Sequence, residues 1–256
     1  MRRVRVIPVI LLYEGRVVKS YQFKNLKYIG DPINTVKIFN DLQVDELVIL
    51  DIQCSRDDTN PNFKLIEQIA GECFMPVAYG GGIKSVQEAK TIFSLGIEKV
   101  ILNSYAYYNP ELIGEISSFA GSQSVIVSID YKKNIFGKLN IYTNGGRKKQ
   151  NKDFFKYVKE VEEKGAGECL LTCIDRDGTR EGYDLSTIKK VSSLLKIPVI
   201  ANGGANDLND LYRAIKEGNA SAVAAGSMFV FVKGRDSILI NYPSQYTLQK
   251  ELFEKL

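Results

Sequence analysis

The chain has 256 residues, of which 45% are hydrophobic, and its formal net charge is +4. This length and composition allow one large core, and we expect a single domain over residues 1–256. The modest charge is spread along the chain, so nucleic acid is not expected as a partner. The sequence contains no histidine, which excludes Ser-His-Asp triads and histidine-ligated zinc.

The 4 cysteines lack the paired spacing of a metal site, and Cys169 and Cys173 lie on an apolar run. Reduced core thiols are therefore expected, with neither a metal nor a cofactor. No apolar run reaches the ~18 residues of a membrane span, and the first residues are charged too early for a signal peptide. These features predict a cytoplasmic protein with no membrane partner.

The predicted elements alternate between short apolar strands and segments of helical periodicity. In chain order, the strands are Val4–Leu12, Glu46–Ile52, Val77–Tyr79, Lys99–Leu102, Val125–Asp130, Glu168–Ile174, Val199–Ala201 and Ala222–Ala225. The helices are Ile33–Leu42, Phe63–Cys73, Val86–Leu95, Pro110–Phe119, Asp153–Lys164, Leu185–Leu195 and Leu208–Lys216. Eight mostly apolar strands alternating with helices predict a parallel sheet covered on its faces, with the longest loops after strands one and five.

Two segments about half the chain apart resemble each other. Met75–Ala106 and Ile197–Phe229 each run from an apolar strand through paired glycines and a helix to a second strand. Pro76 and Pro198 are 122 residues apart, as are the matching glycines. Such an offset predicts two duplicated halves of four strands. It favours a closed (β/α)8 barrel (TIM barrel) over an open sheet, with chemistry at the carboxyl ends of the strands.

Glycine-rich turns in both halves predict anion binding. In each half, glycines follow one strand, and a small or amide residue with a serine ends the next. These residues are Gly82, Asn103 and Ser104 in the first half and Gly203, Gly204, Gly226 and Ser227 in the second. Backbone N–H groups there, with a helix N-terminus, can hold a phosphate. The pattern predicts two phosphate sites and a substrate phosphorylated at both ends; ordinary tight turns are the alternative.

A carboxylate is expected at the centre of the barrel mouth. Asp130 ends strand five in the sequence Ser128-Ile129-Asp130, where it suits general acid–base chemistry. A cap on the following loop is the alternative. The counterpart of Asp130 in the first half is Leu11, so the mouth lacks a symmetric pair of carboxylates.

Charged residues stand at the opposite ends of four strands. They are Arg5, Glu46, Lys99 and Glu168. Two cations and two anions can form a ring that closes the floor of the barrel. A purely structural plug, or solvated strand ends, would explain the same residues.

A set of motifs from about Arg5 to Phe229 resembles the cyclase subunit of imidazole glycerol phosphate synthase (HisF). The motifs are GRVVK (Gly15–Lys19), GDP (Gly30–Pro32), DELVILDI (Asp45–Ile52), GGGI (Gly80–Ile83), KVILNS (Lys99–Ser104), GSQ (Gly121–Gln123), GAGECLLT (Gly165–Thr172) and DRDGT (Asp175–Thr179). The resemblance implies a (β/α)8 barrel whose N-terminal face docks a glutaminase. Ammonia then passes through the barrel to a bisphosphorylated substrate at the mouth.

The resemblance also implies roles for individual residues. Lys19 matches the loop-one lysine and Asp130 the general acid, while the four charges at the strand starts match an ammonia gate. The phosphate-site positions are Gly82, Asn103, Ser104, Asp177, Gly178, Gly203, Gly204, Gly226 and Ser227.

The departures from the family pattern bear on function. Leu11 replaces the family's other catalytic aspartate, and Tyr13 stands where a lysine is usual. A retained gate with a missing carboxylate favours ammonia delivery over imidazole closure. This pattern resembles HisF-like paralogues that work with a glutaminase and a sugar amidotransferase on surface polysaccharides. The alternatives are the histidine-pathway cyclase, a non-catalytic scaffold that activates the glutaminase, and a related sugar-phosphate isomerase, against which Leu11 argues.

Overall fold

A computed structural model describes residues 4–232, 235 and 237–256. Its strands are β1 (Arg5–Tyr13), β2 (Arg16–Tyr21), β3 (Lys24–Gly30), β4 (Leu47–Asp51), β5 (Val77–Gly80), β6 (Lys99–Leu102), β7 (Val125–Lys133), β8 (Leu139–Thr143), β9 (Lys148–Lys149), β10 (Glu168–Cys173), β11 (Val199–Asn202) and β12 (Ala222–Ala225). Its α-helices are α1 (Pro32–Asp41), α2 (Ile52–Asp57), α3 (Phe63–Ala70), α4 (Val86–Ser94), α5 (Ser104–Tyr108), α6 (Glu111–Ala120), α7 (Phe154–Glu163), α8 (Leu185–Leu194), α9 (Leu208–Lys216), α10 (Ser227–Val230) and α11 (Gln245–Glu251).

Eight parallel strands form a closed barrel. Their order is β1, β4, β5, β6, β7, β10, β11 and β12, and β12 pairs with β1 to complete the circle. Helices connect successive barrel strands. This arrangement confirms the predicted (β/α)8 fold. The carboxyl ends of the strands form one end of the barrel, called the mouth, and the amino ends form the other, called the floor.

Antiparallel hairpins extend two of the barrel strands beyond the mouth. Strand β1 pairs with β2, which pairs with β3, and β7 pairs with β8, which pairs with β9. The sequence predicted loops in both places and ended strand five at Asp130. The strand in fact continues to Lys133 because its last residues pair with β8. Each half of the chain thus begins with a barrel strand that enters a hairpin, while duplication itself and the single-domain boundary stay predictions.

The core has two layers, set by the alternation of side chains along each strand. On β1, Val6, Ile10 and Leu12 pack outward against the helices. Ile7 and Val9 point into the barrel. There they join a small apolar cluster with Leu11, Val18, Val48, Ala78, Ile101, Ile126, Leu170, Ile200, Ala222 and Ala224. The lumen between floor and mouth is therefore apolar.

Candidate active site

A cavity of about 470 Å³ opens at the mouth. Each of the eight barrel strands contributes a residue to the cavity wall close to where the strand leaves the barrel. In barrel order these are Leu11, Asp51, Gly80, Leu102, Asp130, Thr172, Asn202 and Gly226. Ligand sites of (β/α)8 proteins lie at this end, so the cavity is the candidate active site.

Asp130 is the best-placed acid in the cavity. Its carboxylate is buried and accepts hydrogen bonds from Ser128 Oγ (3.2 Å) and Asn103 Nδ2 (3.0 Å). Burial raises the pKa of Asp130 to about 7, and the bonds from Ser128 and Asn103 oppose this rise. A carboxyl group with a pKa near neutrality can donate or accept a proton at physiological pH.

Leu11 presents only methyl groups to the same cavity. Its side chain is buried in the apolar lumen cluster, and its backbone lies between Leu50 of β4 and Val18 of β2. Leu11 cannot exchange a proton, so any acid–base partner for Asp130 must come from another strand.

Asp51 is a second buried carboxylate at the mouth, to which the sequence assigned no role. It ends β4 and caps α2, where one carboxylate oxygen accepts from the backbone N–H groups of Gln53 (3.0 Å) and Cys54 (3.4 Å). Burial raises the pKa of Asp51, against these hydrogen bonds. The signal was present in the sequence, because Asp51 comes at the end of an apolar run, as Asp130 does.

The first-half anion residues lie together in the cavity wall. Gly82 has a φ of +71°, and a Cβ there would lie 2.9 Å from Cys54 Cβ, so only glycine fits. Asn103 donates to the Ser128 carbonyl (3.0 Å) as well as to Asp130. Ser104 Oγ donates to Asn103 Oδ1 (3.1 Å). This side chain network ties the predicted anion site to the candidate acid.

The second-half anion residues are more dispersed. Asp177 and Gly226 line the cavity together with Lys19. Ser227 instead lines a separate cleft beside Phe231. The paired glycines pack against backbone: a Cβ on Gly203 would lie 2.7 Å from the Cys173 carbonyl.

Gly204 and Gly178 are packed in the same way. A Cβ on Gly204 would lie 2.3 Å from the carbonyl oxygen of Gly182, and one on Gly178 would lie 2.7 Å from that of Ser20. Their absent side chains are explained by close packing of neighbouring loops. The structure therefore places these two glycines at close contacts between chain segments.

Strand β2 is held against the loop after β10 by a buried ion pair. Lys19 Nζ lies 2.8 and 3.0 Å from the two carboxylate oxygens of Asp177, and Ser20 Oγ donates to the same carboxylate (3.1 Å). The backbone N–H of Gln22 donates to the Asp177 carbonyl (2.8 Å). In this arrangement the Lys19 ammonium is neutralised by protein.

The four charged residues at the floor form a closed ring. Arg5 contacts Glu46 (2.5 Å) and Glu168 (2.6 Å) through separate guanidinium nitrogens. Lys99 Nζ contacts the other oxygens of the same two carboxylates at 3.0 and 2.9 Å. Each cation thus bridges both anions, and the ring lies directly below the apolar lumen. Its role as a gate stays a prediction.

The fold and the site define a (β/α)8-barrel protein with its candidate site at the mouth. The family model described as "Histidine biosynthesis protein" matches residues 5–234, and the chain belongs to this family. It is a HisF-like relative of the imidazole glycerol phosphate synthase cyclase subunit, which confirms the resemblance drawn from the motifs.

Relatives carrying that name match almost end to end. A provisionally named imidazole glycerol phosphate synthase subunit HisF of Leptospira borgpetersenii is 47% identical over 95% of this chain and 96% of its own. An imidazole glycerol phosphate synthase subunit of Vibrio vulnificus, provisionally named hisF3, is 46% identical over 98% of this chain and 97% of its own. One of Pseudomonas aeruginosa, provisionally named hisF2, is 45% identical over 95% of this chain and 97% of its own.

Two structural features are absent from the described part of the chain. Among those residues, no helix is both long and apolar enough to span a membrane. Within the same residues, no group of three or more Cys, Asp or Glu side chains is arranged to hold a metal ion.

Proposed function

We propose that this chain is the barrel subunit of a glutamine amidotransferase complex in the cytoplasm. A glutaminase docks on the floor and releases ammonia beneath the charged ring. Ammonia crosses the apolar lumen to the mouth, where it is supplied for the amidation of a surface-polysaccharide sugar by a sugar amidotransferase.

The combination of the floor ring with Leu11 carries this proposal. The floor ring is neutral, because its two cations pair with its two anions: Arg5 and Lys99 with Glu46 and Glu168. The ring can therefore close the floor without leaving an unpaired charge beside the apolar lumen. Neutral ammonia crosses an apolar passage more readily than a charged ion does. Meanwhile Leu11 removes a proton-transfer group from the mouth. The route for ammonia is preserved, while the chemistry that closes an imidazole ring is weakened.

The histidine-pathway cyclase remains the second candidate. The buried acid Asp130 is supported by Asn103 and Ser128, and Gly82 and Ser104 keep the first-half anion site. These residues would serve a cyclase that closes an imidazole ring on a bisphosphorylated substrate. A scaffold that only activates the glutaminase is also compatible with Leu11.

Reconstitution of the barrel with a glutaminase subunit from the same organism separates the candidates. Glutamine labelled with ¹⁵N in the amide is supplied with either a sugar amidotransferase and its acceptor sugar or the bisphosphorylated cyclase substrate. We expect label in the sugar product and little in an imidazole. Efficient imidazole formation would establish the cyclase. If the barrel speeds glutamine hydrolysis but nitrogen reaches the acceptor equally well without it, the chain is a scaffold that activates the glutaminase.

A further inference from the structure

The first-half side of the mouth carries cations that have no carboxylate partner. Arg56 and Lys148 line the cavity, and Arg147 lies directly beside Arg56. Within the described part of the chain, none of the three forms an ion pair. The surrounding residues 131–152 include 7 lysines and arginines and no aspartate or glutamate. Asp51 and Asp58 also line the cavity near Arg56, and Asp58 pairs with Lys84 (2.6 Å). The excess of positive charge lies in the segment around β9, which therefore attracts anions.

Arg56 is fixed in position while one of its donors is left unused. Its Nη2 donates to the Phe23 carbonyl (2.8 Å), and its aliphatic stem packs over Gly145, where a Cβ would lie 3.4 Å from Arg56 Cγ. Arg56 Nε is buried and has no hydrogen-bond partner. An unsatisfied buried donor is unfavourable. Because Nε packs against Gly145, 3.6 Å from the position of an ideal Cβ there, a ligand acceptor would meet the terminal nitrogens of the guanidinium.

The arginines are held close together by contacts with the backbone. Arg147 Nη1 donates to the Arg56 carbonyl (3.1 Å). Burial lowers the pKa of Arg56, and the positive charge of Arg147 lowers it further. Two guanidinium groups in this arrangement repel each other until an anion neutralises them.

The pair adjoins the first-half anion residues. The backbone N–H of Asn144, next to Gly145, donates to Ser104 Oγ (2.9 Å). Lys148 Nζ lies 5.0 Å from the ring centre of Tyr108, another residue of the cavity wall. An anion at this side of the mouth can therefore reach both the arginines and the loop that contacts Ser104.

The opposite side of the mouth offers less. Lys19, its buried cation, is already paired with both oxygens of Asp177. A phosphate placed there would meet the Asp177 carboxylate and would have to displace it from Lys19. The charge distribution is therefore one-sided.

We propose that Arg56, Arg147 and Lys148 form an anion site for a ligand that carries a single phosphate group. Arginine suits this task because its planar fork of donors matches phosphate oxygens. The inference deepens the proposed function and rests on it only in taking the mouth cavity as the ligand site.

Binding of phosphate compounds to the purified barrel tests the proposal. The probes are inorganic phosphate, glycerol 3-phosphate and fructose 1,6-bisphosphate, measured by calorimetry at fixed ionic strength. Replacing Arg56→Gln or Arg147→Gln should raise the Kd for the monophosphates about ten- to hundredfold, since each removes a charge-assisted hydrogen bond. Lys148→Gln should have a smaller effect in the same direction.

Matched variants separate a site from diffuse attraction. Lys149→Gln removes a charge from the neighbouring position of β9, and Arg213→Gln removes one from the outer helix α9. Both should leave the Kd unchanged. Equal weakening by these controls, or no weakening by Arg56→Gln and Arg147→Gln, would overturn the site. Binding of the bisphosphate more than tenfold tighter than the monophosphate would overturn the single-phosphate ligand.

Folding and function are checked separately. Thermal unfolding of each variant identifies any loss of fold, and Arg56→Lys, which keeps the charge but loses the fork, should give intermediate binding if Arg56→Gln misfolds. Wild-type-like phosphate affinity in Arg56→Lys would then count against the proposal. These measurements need no glutaminase, so their failure is distinguishable from a failure of ammonia delivery.

Discussion

The two ends of the barrel treat charge in opposite ways. At the floor, Arg5 and Lys99 each contact Glu46 and Glu168, so the charges cancel within one ring. At the mouth, the charges are unbalanced: the acid Asp130 shares its cavity with the aliphatic Leu11, and Arg56, Arg147 and Lys148 at one rim form no ion pair with the described carboxylates.

This difference suggests what each end is suited to do. A neutral ring can remain closed without a ligand, as a barrier to ions requires. Unpaired charges are tolerated where a ligand supplies the opposite charge. The apolar lumen between floor and mouth keeps the two ends apart. A proposed ammonia path thus begins at a self-contained floor and ends at a mouth that is incomplete without a ligand.

The largest expected effect comes from restoring the acid at the mouth. With ammonia and the bisphosphorylated cyclase substrate, the wild-type chain should form little imidazole product, because loss of a general acid or base lowers rates by ~10²–10⁴-fold. Leu11→Asp should raise this activity, measured as product formed per barrel. Leu11→Asn is the matched control, since it adds polarity without a titratable proton. Turnover typical of the family in the unmodified protein would overturn the assigned loss of cyclase chemistry.

Opening the ring tests the floor. Lys99→Ala leaves Glu46 and Glu168 sharing Arg5 alone, and should lower the free energy of unfolding by roughly 2–3 kcal/mol. Glutaminase turnover in the complex should persist, but ammonia should escape before use. The readout is the ratio of glutamine hydrolysed to nitrogen incorporated.

Lys64→Ala, which removes an exposed lysine from helix α3, is the control and should leave that ratio at the wild-type value. An unchanged ratio in Lys99→Ala, with the complex still formed, would mean that the four residues only plug the barrel.

The buried acid should make stability depend on pH. The pKa of Asp130, about 7 in the folded protein, lies above its ordinary value of 3.8. Between those values the folded state keeps a proton that the unfolded chain loses, so this contribution to stability declines as pH rises toward 7. At roughly 1.4 kcal/mol per pKa unit, Asp130→Asn should gain about 2–3 kcal/mol relative to wild type between pH 5 and 8.

Urea unfolding at both pH values measures this gain. Asp153→Asn exchanges an acid at the start of α7 on the exposed surface, and should show no comparable gain. If the difference between Asp130→Asn and wild type is the same at pH 5 and pH 8, the shifted pKa is wrong.

The barrel was predictable because its strands are short apolar runs whose alternation needs no distant information. The floor ring was also visible, since four charges stand at strand starts. The hairpin strands β2, β3, β8 and β9 were missed because they are held by pairing with the extended ends of β1 and β7. Strand β3, for example, exposes most of its residues and has little apolar pattern.

The details of the mouth could not be predicted for a related reason. Gly203 and Gly204 resemble the glycines of the first half in sequence, yet their space is filled by the backbone of Cys173 and Gly182. Asp51 stands at the end of an apolar strand, but the sequence does not show that it both caps α2 and lines the cavity. The pairing of Lys19 on β2 with Asp177 in the loop after β10 joins residues 158 positions apart in sequence. Such contacts depend on how the loops pack in three dimensions.

The smallest expected effect concerns the contact between β2 and the loop after β10, in which Asp177 neutralises Lys19 at one side of the mouth. Ser20→Ala removes one hydrogen bond to the Asp177 carboxylate and should weaken this contact by about 1 kcal/mol. Local opening should then become about fivefold more frequent, measured as hydrogen exchange of the Gln22 amide, which donates to the Asp177 carbonyl. Ser193→Ala, in which the lost hydroxyl bonds only within helix α8, should leave this exchange unchanged. Unaltered exchange in Ser20→Ala would show that the Lys19–Asp177 pair and the Gln22 hydrogen bonds hold this contact without the Ser20 hydroxyl, and an anion would then have to break that pair to enter this side of the mouth.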